Sequence, residues 1–127
     1  MKFIPTQIHG VLDYIGGLVL IACPWLFDFA DGGAAMWTPV VIGAGMIGAA
    51  MFTDYELGLV RAIPMRVHLA MDAAFGVLLA ISPWLFQFDH LVWIPHVVFG
   101  VAEILGAAMT ETVAGSKSLF GPKTMAR

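Results

Sequence analysis

Apolar residues fill this chain in four long blocks, near residues 6–27, 35–52, 65–86 and 91–109, and polar residues collect in the short stretches between them. Each block approaches the roughly 20 helical residues needed to cross a hydrocarbon core. The pattern predicts an all-α membrane protein with four transmembrane helices. The connections are Asp28 to Ala34, Thr53 to Pro64 and Gln87 to His90.

The blocks are not independent. Ile4-Pro5-Thr6-Gln7-Ile8-His9, followed by Asp13, Gly17 and Pro24-Trp25-Leu26-Phe27, returns as Ile63-Pro64-Met65-Arg66-Val67-His68, followed by Asp72, Gly76 and Pro83-Trp84-Leu85-Phe86, always at the separation of Ile4 from Ile63. Trp37-Thr38-Pro39 realigns with Trp93-Ile94-Pro95 once a short deletion in the second turn is allowed, and loops tolerate length changes at little cost. A repeat this apolar predicts a duplicated membrane hairpin rather than a soluble solenoid. The expected organisation is a first hairpin over residues 1–60, a second over 61–111, both running in the same direction, and a polar tail over 112–127.

Composition and charge sharpen this picture. Hydrophobic residues make up 60% of the 127 and charged residues 12%, about half the charged share of an ordinary soluble domain. Lys2, Arg61, Arg66, Lys117, Lys123 and Arg127 are all the Lys and Arg present, and an even number of crossings puts them on one side. By the positive-inside rule that side is cytoplasmic, which predicts a multi-pass protein of the cytoplasmic membrane with both termini inside. The opposite turns carry Asp28, Asp31 and Asp89. The basic residues form no patch, so nucleic acid is not an expected partner. The expected partners are the lipid bilayer and either further copies of the chain or a larger membrane complex.

Leu20-Ile21-Ala22-Cys23, after Lys2 and an apolar run, has the outline of a lipoprotein signal. Cys23 occupies the place of Ser82 in the second copy, so it is better read as a small residue before a proline.

Ser82-Pro83-Trp84, and Cys23-Pro24-Trp25 in the first copy, each close the first helix of a two-helix unit. With the paired His-xxx-Asp and Pro-Trp-Leu-Phe elements, the chain up to about Glu111 resembles the SPW-repeat family of small integral membrane proteins. The resemblance implies the membrane fold and carries over no catalytic residue and no cofactor.

Pro24 and Pro83 lie about 28 Å along their helices at 1.5 Å per residue, near the edge of the hydrocarbon. There they are expected to kink or end the helix, with Trp25, Trp37, Trp84 and Trp93 anchoring it in the headgroup region. The small residues of the second and fourth blocks, with spacings such as Gly45 to Ala49 and Ala102 to Gly106, predict faces where helices approach closely.

The ionisable residues inside the blocks are the candidate functional site. His9 and Asp13 are four apart and share a helix face, as do His68 and Asp72. If the first and third helices meet around an axis along the membrane normal, the four side chains converge. They would then suit proton handling, a divalent transition metal, or simple structural pairing. Hydration at the headgroup level is the alternative. His96 and Glu103 on the fourth helix have no ionisable counterpart in the second, where Val40 and Ile47 are the approximate equivalents; Glu103 is a candidate partner for His68 or Asp72.

No nucleophile elbow, phosphate loop, CxxC or paired metalloprotease histidines occur, so an enzyme is not expected. The expected function is a structural or interaction module in the membrane. The alternative is a small proton- or cation-coupled carrier using the His-Asp residues.

Overall fold

The computed structural model describes residues 2–115. Within them the chain forms four helices, α1 (Thr6–Leu26), α2 (Ala34–Met51), α3 (Met65–Leu85) and α4 (Ile94–Met109). The polar tail falls outside the described residues from position 116 onward, and with it Lys117, Lys123 and Arg127. Among the described residues there is no strand, only two isolated parallel bridges, Ile4 with Thr110 and Thr53 with Ile63.

The helix ends follow from proline and backbone geometry. Pro5 and Pro64 precede α1 and α3 in the extended conformation, and their carbonyls accept the first helical bonds, from the amides of His9 and His68, each at 3.0 Å. Proline fits there because its fixed φ suits the chain entering a helix and the lost N–H would have had no helical partner. At the other end Pro24 and Pro83 do not stop their helices. Each sits in the last turn, and helix continues to Leu26 and Leu85. The stop comes from Asp28 and Gln87, which adopt φ of 59° and 60°. The amides of Phe29 and Phe88 then close on the carbonyls of Pro24 and Pro83, at 2.8 and 2.7 Å, the bond of a Schellman cap.

α4 is shorter than its apolar block. The amides of Leu91 and Val92 bond to the Phe88 carbonyl in a turn, and helix begins only at Ile94, with Pro95 in its first turn. α1, α2 and α3 are long and apolar enough to cross a membrane; α4, at 16 residues, spans about 24 Å.

α1 packs along α2 and α3 along α4, each pair joined by a short turn. Glycine sets both crossings. A β-carbon on Gly43 would lie 2.6 Å from the Gly17 carbonyl oxygen, and one on Gly100 would lie 2.6 Å from that of Gly76. Of the expected contact spacings, Gly45 to Ala49 faces inward, with Ala49 buried and Gly45 against the Phe75 ring of α3, whereas Ala102 is exposed and Gly106 has open space where a side chain would be. A helix apolar on every side gives no sign of which small residues turn inward.

The surface is apolar where a soluble protein would be polar. Leu12, Ile15, Leu18, Val41, Val77, Ile81, Val98 and Leu105 are all exposed, on all four helices. A belt of this extent needs lipid against it. Trp25, Trp37, Trp84 and Trp93 are exposed at one end of the bundle, and the rings of Trp84 and Trp93 meet at 6.2 Å. Lys2, Arg61 and Arg66 lie at the other end, where α1 and α3 begin.

A buried histidine-aspartate quartet as the candidate functional site

His9 and Asp13 on α1 meet His68 and Asp72 on α3 in the interior, and all four are between 0 and 2% exposed. The shortest bonds run between the helices rather than within them. His9 Nε2 is 2.8 Å from Asp72 Oδ2, and His68 Nε2 is 2.8 Å from Asp13 Oδ2. The contacts within each helix are longer, 3.2 Å for His9 with Asp13 and 3.0 Å for His68 with Asp72. Because each pair is separated by one helical turn, one carboxylate reaches both imidazoles, and Asp72 Oδ2 lies against both. The hydrated arrangement is therefore not the one found.

Two threonines absent from the sequence reading complete the site. Thr53 Oγ1 lies 2.9 Å from His68 Nδ1, and Thr110 Oγ1 lies 2.9 Å from His9 Nδ1. Each hydroxyl also donates to the carbonyl four residues back, Thr53 to Ala49 and Thr110 to Gly106, both at 2.6 Å. A hydroxyl has one proton, and a carbonyl can only accept. Each threonine therefore accepts from its histidine, which fixes Nδ1 as the donor and turns Nε2 toward the carboxylates.

That assignment sets the proton content of the cluster. An Nδ1–H imidazole with no proton on Nε2 presents a lone pair there, and a lone pair cannot rest 2.8 Å from a carboxylate oxygen without a proton between them. Two such contacts require two protons, one for each. The quartet is then neutral in sum, as two imidazolium–carboxylate pairs or as two imidazoles with two carboxylic acids. Neutrality is what a site removed from water requires.

The connection between α2 and α3 is a plug. Tyr55 is fully buried, its ring stacks on that of His68 at 5.9 Å, and it fills the space left by the absent side chain of Gly10. With Met65, Leu69 and Ala114 it forms an apolar cluster over the quartet, while Thr6 donates to the Glu56 carboxylate at 2.8 Å. Deeper in the bundle Leu20, Ile42, Met46 and Leu79 close the other side. The signal for Thr53 and Thr110 was present: Thr53 lies two residues and Thr110 one residue past the end of a hairpin's second helix. The apolar windows end one residue short of both.

His96 and Glu103 do not join the quartet by hydrogen bonds. His96 Nε2 donates to the Ala35 carbonyl at 2.9 Å, and its ring packs against Phe88 and Phe29. Glu103 makes no hydrogen bond with another described residue. Its β-carbon lies beside Gly76, and a carboxylate oxygen lies 3.8 Å from where a β-carbon on Gly16 would be. Counting from the glycines that cross, the residues in the register of His96 and Glu103 are Pro39 and Met46 rather than Val40 and Ile47.

The serine of Ser82-Pro83-Trp84 has a structural task. Proline at 83 lacks the N–H that would bond the Leu79 carbonyl, and the Ser82 hydroxyl donates to that same carbonyl at 2.7 Å. In the first copy Cys23 stands there, buried, with a thiol that donates weakly.

A family model described as the SPW repeat domain matches residues 7–110, a span that holds every residue of the site, both threonines included. No curated protein and no solved structure matches the chain.

Proposed function

The chain belongs to the SPW repeat family, and on that premise we propose that it is a non-enzymatic integral membrane module, structural or interacting in role, made of two tandem hairpins fastened by the quartet. The reciprocal bonding carries this reading: each histidine takes its shortest bond from the aspartate of the other hairpin. Polar bonds between helices substitute for the hydrophobic drive that lipid does not supply. Repeat-equivalent residues bond in mirrored pairs, which supports a pseudo-two-fold axis along the membrane normal. Lys2, Arg61 and Arg66 at one end support a cytoplasmic location for that end in the cytoplasmic membrane. The open Ala102 and Gly106 on α4 support association with further copies or with another membrane protein.

One observation favours a second reading, a proton- or cation-coupled carrier. Glu103 sits about a turn deeper than the quartet, beside Gly16 and Gly76, with His96 two turns beyond it. Ionisable groups at successive depths are the material of a relay. Proteoliposomes separate the two. A structural module passes no protons or cations above empty vesicles and runs as a defined oligomer in detergent. A flux abolished by Glu103→Gln in folded protein would establish the carrier and sink the structural reading. For orientation, a cysteine in place of Arg61 should be labelled only after cells are opened, and one in place of Asp31 from outside intact cells.

A further inference from the structure

We propose that the quartet binds one divalent transition-metal ion of the zinc class, with His9 Nε2, His68 Nε2 and one oxygen each of Asp13 and Asp72 as ligands, in exchange for two protons. The inference rests on the geometry of the four side chains and not on the structural role proposed above. One donor atom from each of the four residues lies within 4.8 Å of the others; Asp72 Oδ2 is 2.8 and 3.0 Å from the two Nε2 atoms, and Asp13 meets His68 through Oδ2 at 2.8 Å and His9 through Oδ1 at 3.2 Å. Bonds of about 2.0–2.1 Å to a tetrahedral ion place its ligands about 3.3 Å apart, so occupation opens the short His–Asp contacts by about 0.1–0.5 Å and draws in donors that start farther apart, up to 4.8 Å.

Three further features suit an ion. Both Nε2 atoms point inward because both Nδ1–H groups are held by Thr53 and Thr110, which in turn are held by helix carbonyls. Metal-bound histidines are oriented by this kind of outer partner. Asp72 Oδ1 is buried and has no hydrogen-bond partner, so a donor oxygen remains unused in a site otherwise fully paired. Charge balances as well: a divalent ion enters, two protons leave to solvent, and the interior stays neutral. Two imidazoles and two carboxylates favour zinc, cobalt, iron(II) or manganese over copper(I), which seeks sulfur, and over calcium, which needs six to eight oxygens.

The test uses the full chain in detergent, freed of metal by chelator, titrated with zinc by calorimetry in two buffers of different ionisation enthalpy. One ion bound per chain with about two protons released is the expected result. Cobalt(II) should give the intense visible bands of a tetrahedral site and be displaced by zinc. His68→Gln and Asp72→Asn should abolish both signals. Should those variants fail to fold, Thr53→Val and Thr110→Val keep every ligand and are expected to weaken zinc binding about 10–100-fold by freeing the imidazoles. Glu103→Gln should leave binding unchanged. No stoichiometric zinc binding in the folded parent overturns the proposal, as does binding that survives in His68→Gln or that releases no protons. Any of these three failures leaves the fastening role standing, since that role is read from folding and not from metal.

Discussion

The two hairpins contribute identical chemistry to the quartet and different chemistry to the rest of the bundle. His9, Asp13 and Thr110 at one place are matched by His68, Asp72 and Thr53 at the other, bond for bond. The glycine crossings match in the same way. From one turn deeper to the far end of the bundle the likeness fails, with Met46 against Glu103, then Pro39 against His96 and Cys23 against Ser82. The quartet is made by both hairpins together, and each glycine crossing is made within one. The single features also reach across, His96 bonding the Ala35 carbonyl and Glu103 lying beside Gly16, but they do so without a matching bond in the other direction.

The largest test of this contrast removes one acid at a time. Asp13→Ala and Asp72→Ala each remove the shortest bond of one buried imidazole, leave two imidazoles to share one carboxylate, and should cost about 3–5 kcal/mol in unfolding from detergent micelles. The two costs should agree within error; a benign Asp13→Ala beside a ruinous Asp72→Ala would mean that the quartet is not shared evenly. Next come the crossings. Gly43→Ala and Gly100→Ala should each cost about 1–3 kcal/mol, because the added carbon meets a backbone carbonyl that cannot move aside. Gly48→Ala and Gly106→Ala, with open space, should be neutral or slightly stabilising.

Thr53→Val and Thr110→Val keep the shape and remove the acceptor of a buried Nδ1–H, for about 1–2 kcal/mol each. A double-mutant cycle of Thr53→Val with Asp13→Ala should show coupling, since His68 joins the two; strict additivity would separate them. The smallest effect is at the proline turns. Ser82→Ala should lose about 0.5–1.5 kcal/mol and Cys23→Ser should gain a similar or smaller amount, because a hydroxyl there supplies the donor that proline withholds. Equal responses at the two sites would remove the difference between the copies.

Much of the fold was legible because the bilayer demands it. Apolar runs of membrane length have few alternatives, and the return of His-xxx-Asp at a fixed separation placed all four residues on facing helices. What stayed hidden depends on rotation about a helix axis and on the connections. α2 is apolar on every side, so its pattern gives no reason to choose Gly43 over Gly45 for the close approach. Tyr55 lies in a connection that hydropathy treats as outside, yet it stacks on His68. The asymmetry of His96 and Glu103 was visible, and their true registers, Pro39 and Met46, emerged only once the crossing glycines fixed the alignment.

The exchange of bonds between hairpins also bears on how the molecule is made. His9 waits for a residue 63 positions later, and Asp13 for one 55 positions later. At about 5–20 residues per second of synthesis, on the order of 3–12 s pass in which the acid and imidazole of the first hairpin have only each other, without their shorter bonds. A second copy would present the same side chains as the missing hairpin does. An exchange of hairpins between two copies would satisfy the same bonds, since each copy carries the same four side chains.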